Sequence, residues 1–205
     1  MIHNSISREE FVKDEIISTA QKLFRQYGFQ KTTMEDIARS TGRGKSTLYY
    51  YYKSKDVIFT DVIEKEAREI LLAVNNAVNS SQTASEMLQS YFIVTFESIK
   101  HKINLYGIMR HELLNTGDIS SYKPALSQIK RFIRSEKTII KNILLSGVNN
   151  HEFTQEIIKD IDMVVYVIIT AQRAIFIDLT KRETDVESAK IQAMVNILLK
   201  GICTS

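Results

Sequence analysis

The sequence is poor in the residues that disulfides, metal sites and tight turns require. Of 205 residues, one is cysteine, one is proline and seven are glycine. A single cysteine, Cys203, excludes an internal disulfide and every zinc site built from several cysteines. Sheet proteins of this size need many tight turns, and those turns depend on glycine and proline. The scarcity of both therefore predicts long helices joined by few loops.

Long hydrophobic runs are also missing. The longest apolar run, Met163 to Ile169, has seven residues, whereas a membrane-spanning helix needs about 20. The first residues lack the basic and then apolar pattern of a secretory signal peptide. We therefore expect a cytoplasmic protein with no membrane association.

Positive charge is concentrated in the first quarter of the chain. Residues 1–55 hold ten Lys and Arg against six Asp and Glu, whereas residues 56–205 hold seventeen against eighteen. From residue 37 to residue 55 no residue is acidic and five are basic: Arg39, Arg43, Lys45, Lys53 and Lys55. Because phosphate contacts supply most of the affinity for nucleic acid, such a basic strip favours binding to a polyanion.

Apolar periodicity and capping residues predict an all-α chain of about nine helices. Thr32 or Thr33 can cap the second helix, Thr83 the fifth and Thr184 the last, each with an acidic residue placed to complete a capping box. A polar stretch, 75–85, is expected to separate the fourth and fifth helices. The predicted helices are 8–27, 33–41, 44–51, one starting at 54–56, 84–103, 105–115, 124–147, 156–181 and 185–202.

The second and third predicted helices have the layout of a helix-turn-helix, whose second helix enters the DNA major groove. Ile37 and Ala38 would face inward, Gly42 would allow the turn, and Leu48 would anchor the second helix. Tyr52 would pack against the next helix. The side chains left facing outward can all donate hydrogen bonds: Lys45, Ser46, Thr47, Tyr49 and Tyr50.

Residues 16–59 resemble the DNA-binding region of the TetR family of transcriptional regulators. The resemblance implies an all-helical homodimer, with a three-helix DNA-binding domain at 1–53 and a ligand-binding and dimerisation domain at 54–205. It also implies a repressor that a small-molecule effector releases from a near-palindromic operator. The matching residues are Ile16, Ala20, Leu23, Phe24, Tyr27-Gly28-Phe29, Thr32-Thr33-Met34, Ile37-Ala38, Gly42, Lys45, Thr47-Leu48-Tyr49-Tyr50 and Lys53-Ser54-Lys55-Asp56.

The resemblance also assigns DNA contacts to individual residues. Thr33 would bind a phosphate at the start of its helix, and Tyr50 and Lys55 would hold phosphates on either side. Lys45, Ser46, Thr47 and Tyr49 would face the groove. The chain departs from the family pattern at Ser46, where glycine is frequent, and at Tyr51-Tyr52, where His-Phe is frequent. It also has Arg43 where the family usually has an apolar residue, so Arg43 either alters the turn or reaches DNA.

The two final helices are apolar on more than one face. From Ile161 to Leu179, fourteen of nineteen residues are apolar or tyrosine, and a helix that is apolar nearly all round must be covered nearly all round. We expect the last two helices to form an isologous dimer interface. The alternative is a monomer with a thick core.

An effector pocket is implied by the resemblance. Gln172 and Arg173 are the strongest candidates, because polar groups within so apolar a helix need partners, in this chain or in a second subunit. Residues 116–123 are a candidate lid. The candidate pocket residues are the polar or aromatic side chains within apolar helices: Tyr91, Phe96, Met109, His111, Phe132, Tyr166, Gln172 and Arg173.

No catalytic motif in the sequence is complete. Gly44-Lys45-Ser46 lacks the upstream glycine of a phosphate-binding loop, and His111-Glu112 lacks the second histidine of a zinc protease. Ser146-Gly147 lacks the upstream glycine of a nucleophile elbow. We therefore expect no enzyme, no cofactor and no metal. Two other functions stay open: a helical enzyme or ligand carrier whose N-terminal motif is vestigial, and an activator or architectural DNA binder without a ligand.

Overall fold

The computed structural model describes residues 7–101, 123, 125–181 and 188–203, and over these ranges the fold is all-α. The only β pairing there is one isolated bridge between Phe153 and Cys203. The predicted fold class is therefore confirmed. The helices are α1 (Arg8–Tyr27), α2 (Met34–Ser40), α3 (Lys45–Tyr51), α4 (Lys55–Asn79), α5 (Ala84–His101), α6 (Leu126–Asn149), α7 (Glu156–Lys159), α8 (Ile161–Lys181) and α9 (Ser188–Ile202).

The described residues fall into two compact units. The first contains 7–67 with 123 and 125–130, and the second contains 68–101, 131–181 and 188–203. The first unit thus joins α1, α2 and α3 to the first half of α4. The division into domains at residue 53 stays a prediction.

Capping residues set the ends of the helices in the first unit. Ser7 and Glu10 form a capping box at the start of α1, and Gly28 ends the helix with a φ of 84°, a conformation that glycine adopts without strain. At the start of α2 the cap is Thr33, whose side chain exchanges hydrogen bonds with Asp36. Thr32 instead donates its hydroxyl to the carbonyl oxygen of Gly28 at 2.9 Å.

Two predicted boundaries were wrong. Helix α4 continues to Asn79, into the stretch expected to be a linker, because Val74 and Val78 extend its buried face by a turn. The predicted helix 156–181 is broken at Asp160, which has φ −137° and ψ 45°. The carbonyl oxygen of Asp160 accepts the backbone N–H of Val164 at 3.0 Å, so Asp160 stands at the start of α8, where aspartate is a favoured residue.

Two other predicted helix features cannot be compared with the structure. The helix 105–115 and the cap formed by Thr184 and Glu187 lie outside the described residues. The cap at Thr83 is confirmed, since its hydroxyl accepts the backbone N–H of Glu86 at 3.1 Å.

A tight turn after α6 organises one end of the second unit. His151 has a φ of 62°, and the backbone N–H of Phe153 returns to the carbonyl oxygen of Gly147 at 3.0 Å. The Phe153 ring lies against Gly147 so closely that a Cβ there would be 2.1 Å from it. The carboxylate of Glu152 accepts the N–H of Ala84 at 2.9 Å and of Ser85 at 3.1 Å. The turn is therefore fastened to the start of α5.

None of the helices in the described ranges has both the length and the apolar character that crossing a bilayer would require.

Candidate DNA-binding site

Helices α2 and α3 are joined by a short turn and pack against each other. Ile37, Ala38 and Leu48 are buried, as predicted for the residues that hold the pair together. Gly42 has a φ of 66°, and the next backbone N–H, from Arg43, donates to the carbonyl oxygen of Ala38 at 2.9 Å. A left-handed residue at this point lets the chain reverse within a few residues. The predicted helix-turn-helix is confirmed.

The outer face of α3 presents hydrogen-bond donors. Lys45, Ser46, Tyr49 and Tyr50 are exposed and Thr47 is half-buried. Tyr50 is the most prominent of the tyrosines in α3, at 72% exposure. Because α3 is only seven residues long, these side chains lie within two helical turns of one another.

Tyr52, immediately after α3, has the packing role expected for it. It is buried, and its hydroxyl donates to a carboxylate oxygen of Asp61 in α4 at 2.9 Å. Burial, with Asp61 beside it, raises the pKa of the Tyr52 phenol, which therefore stays protonated. Tyr52 joins the end of α3 to α4.

Thr33 lies at the start of α2, but its polar groups are already engaged. Its hydroxyl donates to a carboxylate oxygen of Asp36 at 2.6 Å and accepts the backbone N–H of Asp36 at 3.1 Å. The Thr33 hydroxyl, and the Thr33 backbone N–H that donates to the same carboxylate oxygen at 3.0 Å, hold the pKa of Asp36 below its ordinary value. A phosphate contact by Thr33 would have to share a hydroxyl that caps the helix.

Lys55 is engaged in the same way. Its ammonium donates to the carbonyl oxygens of Phe29 at 2.8 Å, Gln30 at 3.4 Å and Thr32 at 2.8 Å, and lies 4.4 Å from the centre of the Phe29 ring. An ammonium has three N–H donors, so these carbonyl groups use all of them. Burial lowers the pKa of Lys55. This geometry favours a structural role, in which Lys55 ties α4 to the segment after α1, over the predicted phosphate contact.

Arg43 forms an ion pair with Glu15 of α1. The guanidinium is largely buried, and its Nε has no hydrogen-bond partner among the residues that the structure describes. The pair fastens the turn to α1 at a position where the resembling family usually places an apolar side chain. Of the two interpretations of Arg43, the geometry favours an altered turn.

The basic strip is free of acidic residues along the chain but not in space. The fold brings Glu15, Glu35 and Asp36 against it. Each of the five basic side chains therefore has an acceptor within the protein: Arg39 with Asp36, Arg43 with Glu15, Lys45 with Glu35, Lys53 with the carbonyl oxygen of Tyr49, and Lys55 with the carbonyl oxygens described above. Contact with DNA would require these groups to exchange partners.

A buried polar cluster lies in the second unit. The hydroxyl of Tyr91 in α5 donates to one carboxylate oxygen of Glu136 in α6 at 3.0 Å, and the guanidinium of Arg173 in α8 donates to the other at 2.7 Å. Burial raises the pKa of Glu136, and Arg173 opposes this effect. Glu136 was not predicted from the sequence, although it interrupts an apolar stripe at helical spacing: Ile129, Phe132, Ile140 and Ile143.

The predicted pocket residues separate into three groups. Tyr91, Phe96, Phe132 and Gln172 are buried and Arg173 is largely buried. Met109 and His111, with most of the candidate lid 116–123, lie outside the described residues. Tyr166 does not join the cluster, since it is 56% exposed.

Gln172 and Arg173 do not depend on a second subunit for burial. Arg173 has its partner, Glu136, in the same chain. Gln172 is only 4% exposed in the single chain, and its carbonyl Oε1 has no hydrogen-bond partner within the described ranges. The hydroxyl of Thr95, one turn after Tyr91, is likewise buried without a bond of good geometry. The second unit therefore contains two buried polar atoms without a hydrogen-bond partner among the described residues.

The outward faces of α8 and α9 are apolar. Met163, Tyr166 and Val167 on α8 and Ile197 on α9 are all more than half exposed. Beside them an open groove of about 370 Å³ runs between the two helices, lined by Ala171, Ile175, Ala193, Met194, Ile197 and Leu198. Exposed apolar surface of this kind is typical of an interface.

Residues 16–62 match the family model described as bacterial regulatory proteins, tetR family. This region of the chain, residues 16–62, therefore belongs to the TetR family. It is 24% identical over 152 residues to the HTH-type transcriptional repressor KstR2 of Mycolicibacterium smegmatis, covering 74% of this chain and 71% of that protein. It is 29% identical over 150 residues to IcaR of Staphylococcus aureus, a negative transcriptional regulator of the biofilm operon icaADBC, covering 65% of this chain and 78% of that protein.

Solved structures extend the likeness in fold beyond the matched region. The chain superposes on the transcriptional regulator FadR of Bacillus subtilis in complex with stearoyl-CoA with a TM-score of 0.74, over 92% of this chain and 98% of that one, at 18% identity. At that identity the likeness concerns the fold. TetR-family proteins are regulators of transcription rather than typical enzymes.

Proposed function

We propose that this TetR-family chain is a homodimeric repressor that binds a near-palindromic operator and releases it when a small molecule binds the second unit. One observation carries the DNA-binding part: the outward face of α3 presents five hydrogen-bond donors on a buried helix-turn-helix scaffold. In a dimer the two recognition helices would enter major grooves about 34–36 Å apart, or further. A protein that acts on chromosomal DNA is expected in the cytoplasm.

The proposed DNA contacts fall into two classes. Lys45, Ser46, Thr47 and Tyr49 face the groove, where the Lys45 ammonium can also bind a phosphate at its edge, and Tyr50 contacts the phosphate backbone. Thr33 adds a phosphate contact only if its hydroxyl is shared with the helix cap. Arg43 and Lys55 support the scaffold through Glu15 and through backbone carbonyls.

DNA titrations of Lys45→Ala and Tyr50→Phe test this site. Each variant should bind more weakly and remain folded, because both side chains are exposed. Lys45→Ala removes a cation that can neutralise a phosphate and should flatten the dependence of log K on log salt by up to about one unit, whereas Tyr50→Phe removes a neutral donor and should leave that slope unchanged. Lys159→Ala removes an exposed, ion-paired cation of the second unit and should leave binding unchanged. A double variant of Lys45 and Tyr50 that binds as tightly as the wild type would refute the site.

Dimerisation through α8 and α9 is supported by their exposed apolar faces. A single chain leaves Met163, Tyr166, Val167 and Ile197 more than half exposed, and a second copy related by a two-fold axis would cover them. Size-exclusion chromatography with light scattering tests this, and a monomer mass at micromolar concentration would contradict it.

The buried polar cluster supports an effector site in the second unit. Ligand sites are mostly apolar with a few convergent polar groups. Here the rings of Phe92, Phe96 and Phe132 are buried in the same unit as the Gln172 carbonyl, which has no hydrogen-bond partner in the described part of the chain. The similarly folded FadR of Bacillus subtilis was solved in complex with stearoyl-CoA, so a fold of this kind accommodates a large molecule that carries a long apolar chain.

Thermal unfolding with a panel of molecules that carry apolar chains or rings, stearoyl-CoA first, tests the effector site. By linkage, a ligand that weakens DNA binding must itself be bound more weakly, by the same factor, when DNA is present. A compound that raises the melting temperature should therefore lower the affinity for DNA. Gln172→Leu should reduce both effects. A compound that stabilises the protein without changing the affinity for DNA would contradict release by that ligand.

A further inference from the structure

Glu35 and Lys45 form an ion pair on the proposed DNA-binding surface. Glu35 lies in the first turn of α2 and Lys45 is the first residue of α3. The ammonium Nζ lies 2.6 Å from Oε1 of the carboxylate, and the Lys45 and Glu35 side chains are 63% and 48% exposed. The hydrogen bond from Lys45 holds the pKa of Glu35 below its ordinary value. Lys45 thus has an anionic partner at the place where DNA would supply another.

This pair differs from the other contacts of the basic strip. The Arg43 side chain is largely buried and forms an ion pair with Glu15, and the Lys55 ammonium is bound to three backbone carbonyls. Either side chain would therefore have to leave a structural position to reach DNA. Lys45 and Glu35 are both exposed, and separating them exposes no core. Lys45 can therefore exchange its partner more readily than Arg43 or Lys55.

We propose that Glu35 competes with DNA phosphate for Lys45 and so lowers the affinity for duplexes that offer Lys45 only phosphate. The proposal rests on the DNA-binding function proposed above. When Lys45 turns to a phosphate, it gives up its ion pair with Glu35. The loss of that pair opposes binding, and repulsion between the unpaired carboxylate and the polyanion adds to the cost.

An operator can offset that repulsion in a way that random DNA does not. A carboxylate in the major groove accepts a hydrogen bond from the N4 amino group of cytosine. A sequence that places such a donor near Glu35 compensates for the departure of Lys45. Glu35 is in this sense a specificity-determining residue, because its effect depends on the bases that the duplex presents.

The test compares Glu35→Gln with Glu156→Gln in the full-length chain. Both variants remove one negative charge from an exposed Glu–Lys ion pair, but Glu156 lies in α7 of the second unit. The probe is a mixed-sequence duplex of about 30 base pairs, enough for two half-sites one helical turn apart. Fluorescence anisotropy is measured between about 50 and 200 mM salt.

We expect Glu35→Gln to bind this duplex several-fold more tightly at low salt, with a salt dependence steeper by up to about one unit, because Lys45 then neutralises a phosphate. Glu156→Gln should bind like the wild type. Unchanged or weaker binding by Glu35→Gln would overturn the proposal, since it would mean that the carboxylate positions Lys45 for DNA. An equal gain in Glu156→Gln would overturn it too, since net charge would then explain both.

The Lys45→Ala background separates competition from general repulsion. If Glu35 acts through Lys45, the gain from Glu35→Gln should be clearly smaller when Lys45 is absent. The same gain in both backgrounds would overturn the proposal. If only this inference is wrong, Lys45→Ala should still bind DNA more weakly than the wild type. If the proposed DNA-binding site itself is wrong, Lys45→Ala should bind DNA as tightly as the wild type.

Discussion

The buried ion pair between Glu136 and Arg173 makes a quantitative prediction about stability. Glu136 is only 4% exposed, and its carboxylate oxygens accept one hydrogen bond from Tyr91 and one from Arg173. Arg173→Met keeps an unbranched apolar side chain but removes the positive charge. The carboxyl group must then either stay ionised without a counter-charge or take up a proton.

Protonation limits how much stability the variant can lose to the unpaired charge. The ordinary pKa of a glutamate side chain is 4.5, so holding it protonated at pH 7 costs about 3.4 kcal/mol, at about 1.36 kcal/mol per pH unit. At pH 5 the same cost is about 0.7 kcal/mol. The wild type already bears part of this cost, because its Glu136 pKa is raised too. We therefore expect Arg173→Met to lose up to about 3 kcal/mol at pH 7 and less than about 1 kcal/mol at pH 5.

The sign of this pH dependence follows from the direction of the pKa shift. Burial raises the pKa of Glu136, and Arg173 opposes the increase, so without Arg173 the pKa of the folded variant rises further. A group whose pKa is raised on folding adds stability that is present below pH 4.5. That stability is lost as the pH rises through the pKa of the group in the folded state. The variant should therefore lose stability relative to the wild type as the pH increases.

Urea unfolding of wild type and variant at pH 5 and pH 7, at one protein concentration, measures the difference. The double variant Glu136→Gln/Arg173→Met removes both charges, so it should recover most of the loss, and its stability difference from the wild type should change with pH much less than that of Arg173→Met. A loss by Arg173→Met that is equal at pH 5 and pH 7 would refute the reasoning, since it would come from packing rather than from charge.

Three further changes test other parts of the structure. Gly147→Ala should lower the free energy of unfolding by about 1–3 kcal/mol, because its Cβ would lie 2.1 Å from the Phe153 ring; unchanged urea unfolding would contradict that packing. Leu48→Ala should destabilise the helix-turn-helix by about 2–5 kcal/mol, seen as faster amide exchange in α3, because Leu48 is fully buried. Ile197→Asp should yield monomers in light scattering while Asn196→Asp stays dimeric, and a dimeric Ile197→Asp would exclude this face as the interface.

The sequence predicts best those features that depend on neighbours along the chain. The bounds of α1 follow from the apolar period and from Gly28, and the burial of Leu48 follows from its place in a short helix. Both signals lie within a turn or two of the residue concerned. The choice between Thr32 and Thr33 as the cap of α2 depended on three-dimensional geometry, because the sequence allowed either.

Pairings between distant residues could not be predicted in the same way. Arg43 and Glu15 are 28 residues apart, and Arg173 and Glu136 are 37 apart. Periodicity indicates which face of a helix is buried, but it does not indicate which residue of another helix lies opposite. For that reason the sequence marks Arg173 as a residue that needs a partner, but it does not identify Glu136 as that partner.

The same limitation affects any estimate of DNA affinity from the number of basic residues. Counting Lys and Arg from 37 to 55 suggests five phosphate contacts, yet Arg43 and Lys55 are held by structural acceptors. Arg43→Gln should therefore lower stability and leave the salt dependence of DNA binding unchanged, whereas Lys45→Ala should flatten it. If Arg43→Gln flattened the dependence as much as Lys45→Ala, Arg43 would leave Glu15 on binding, and the basic strip would act as a whole.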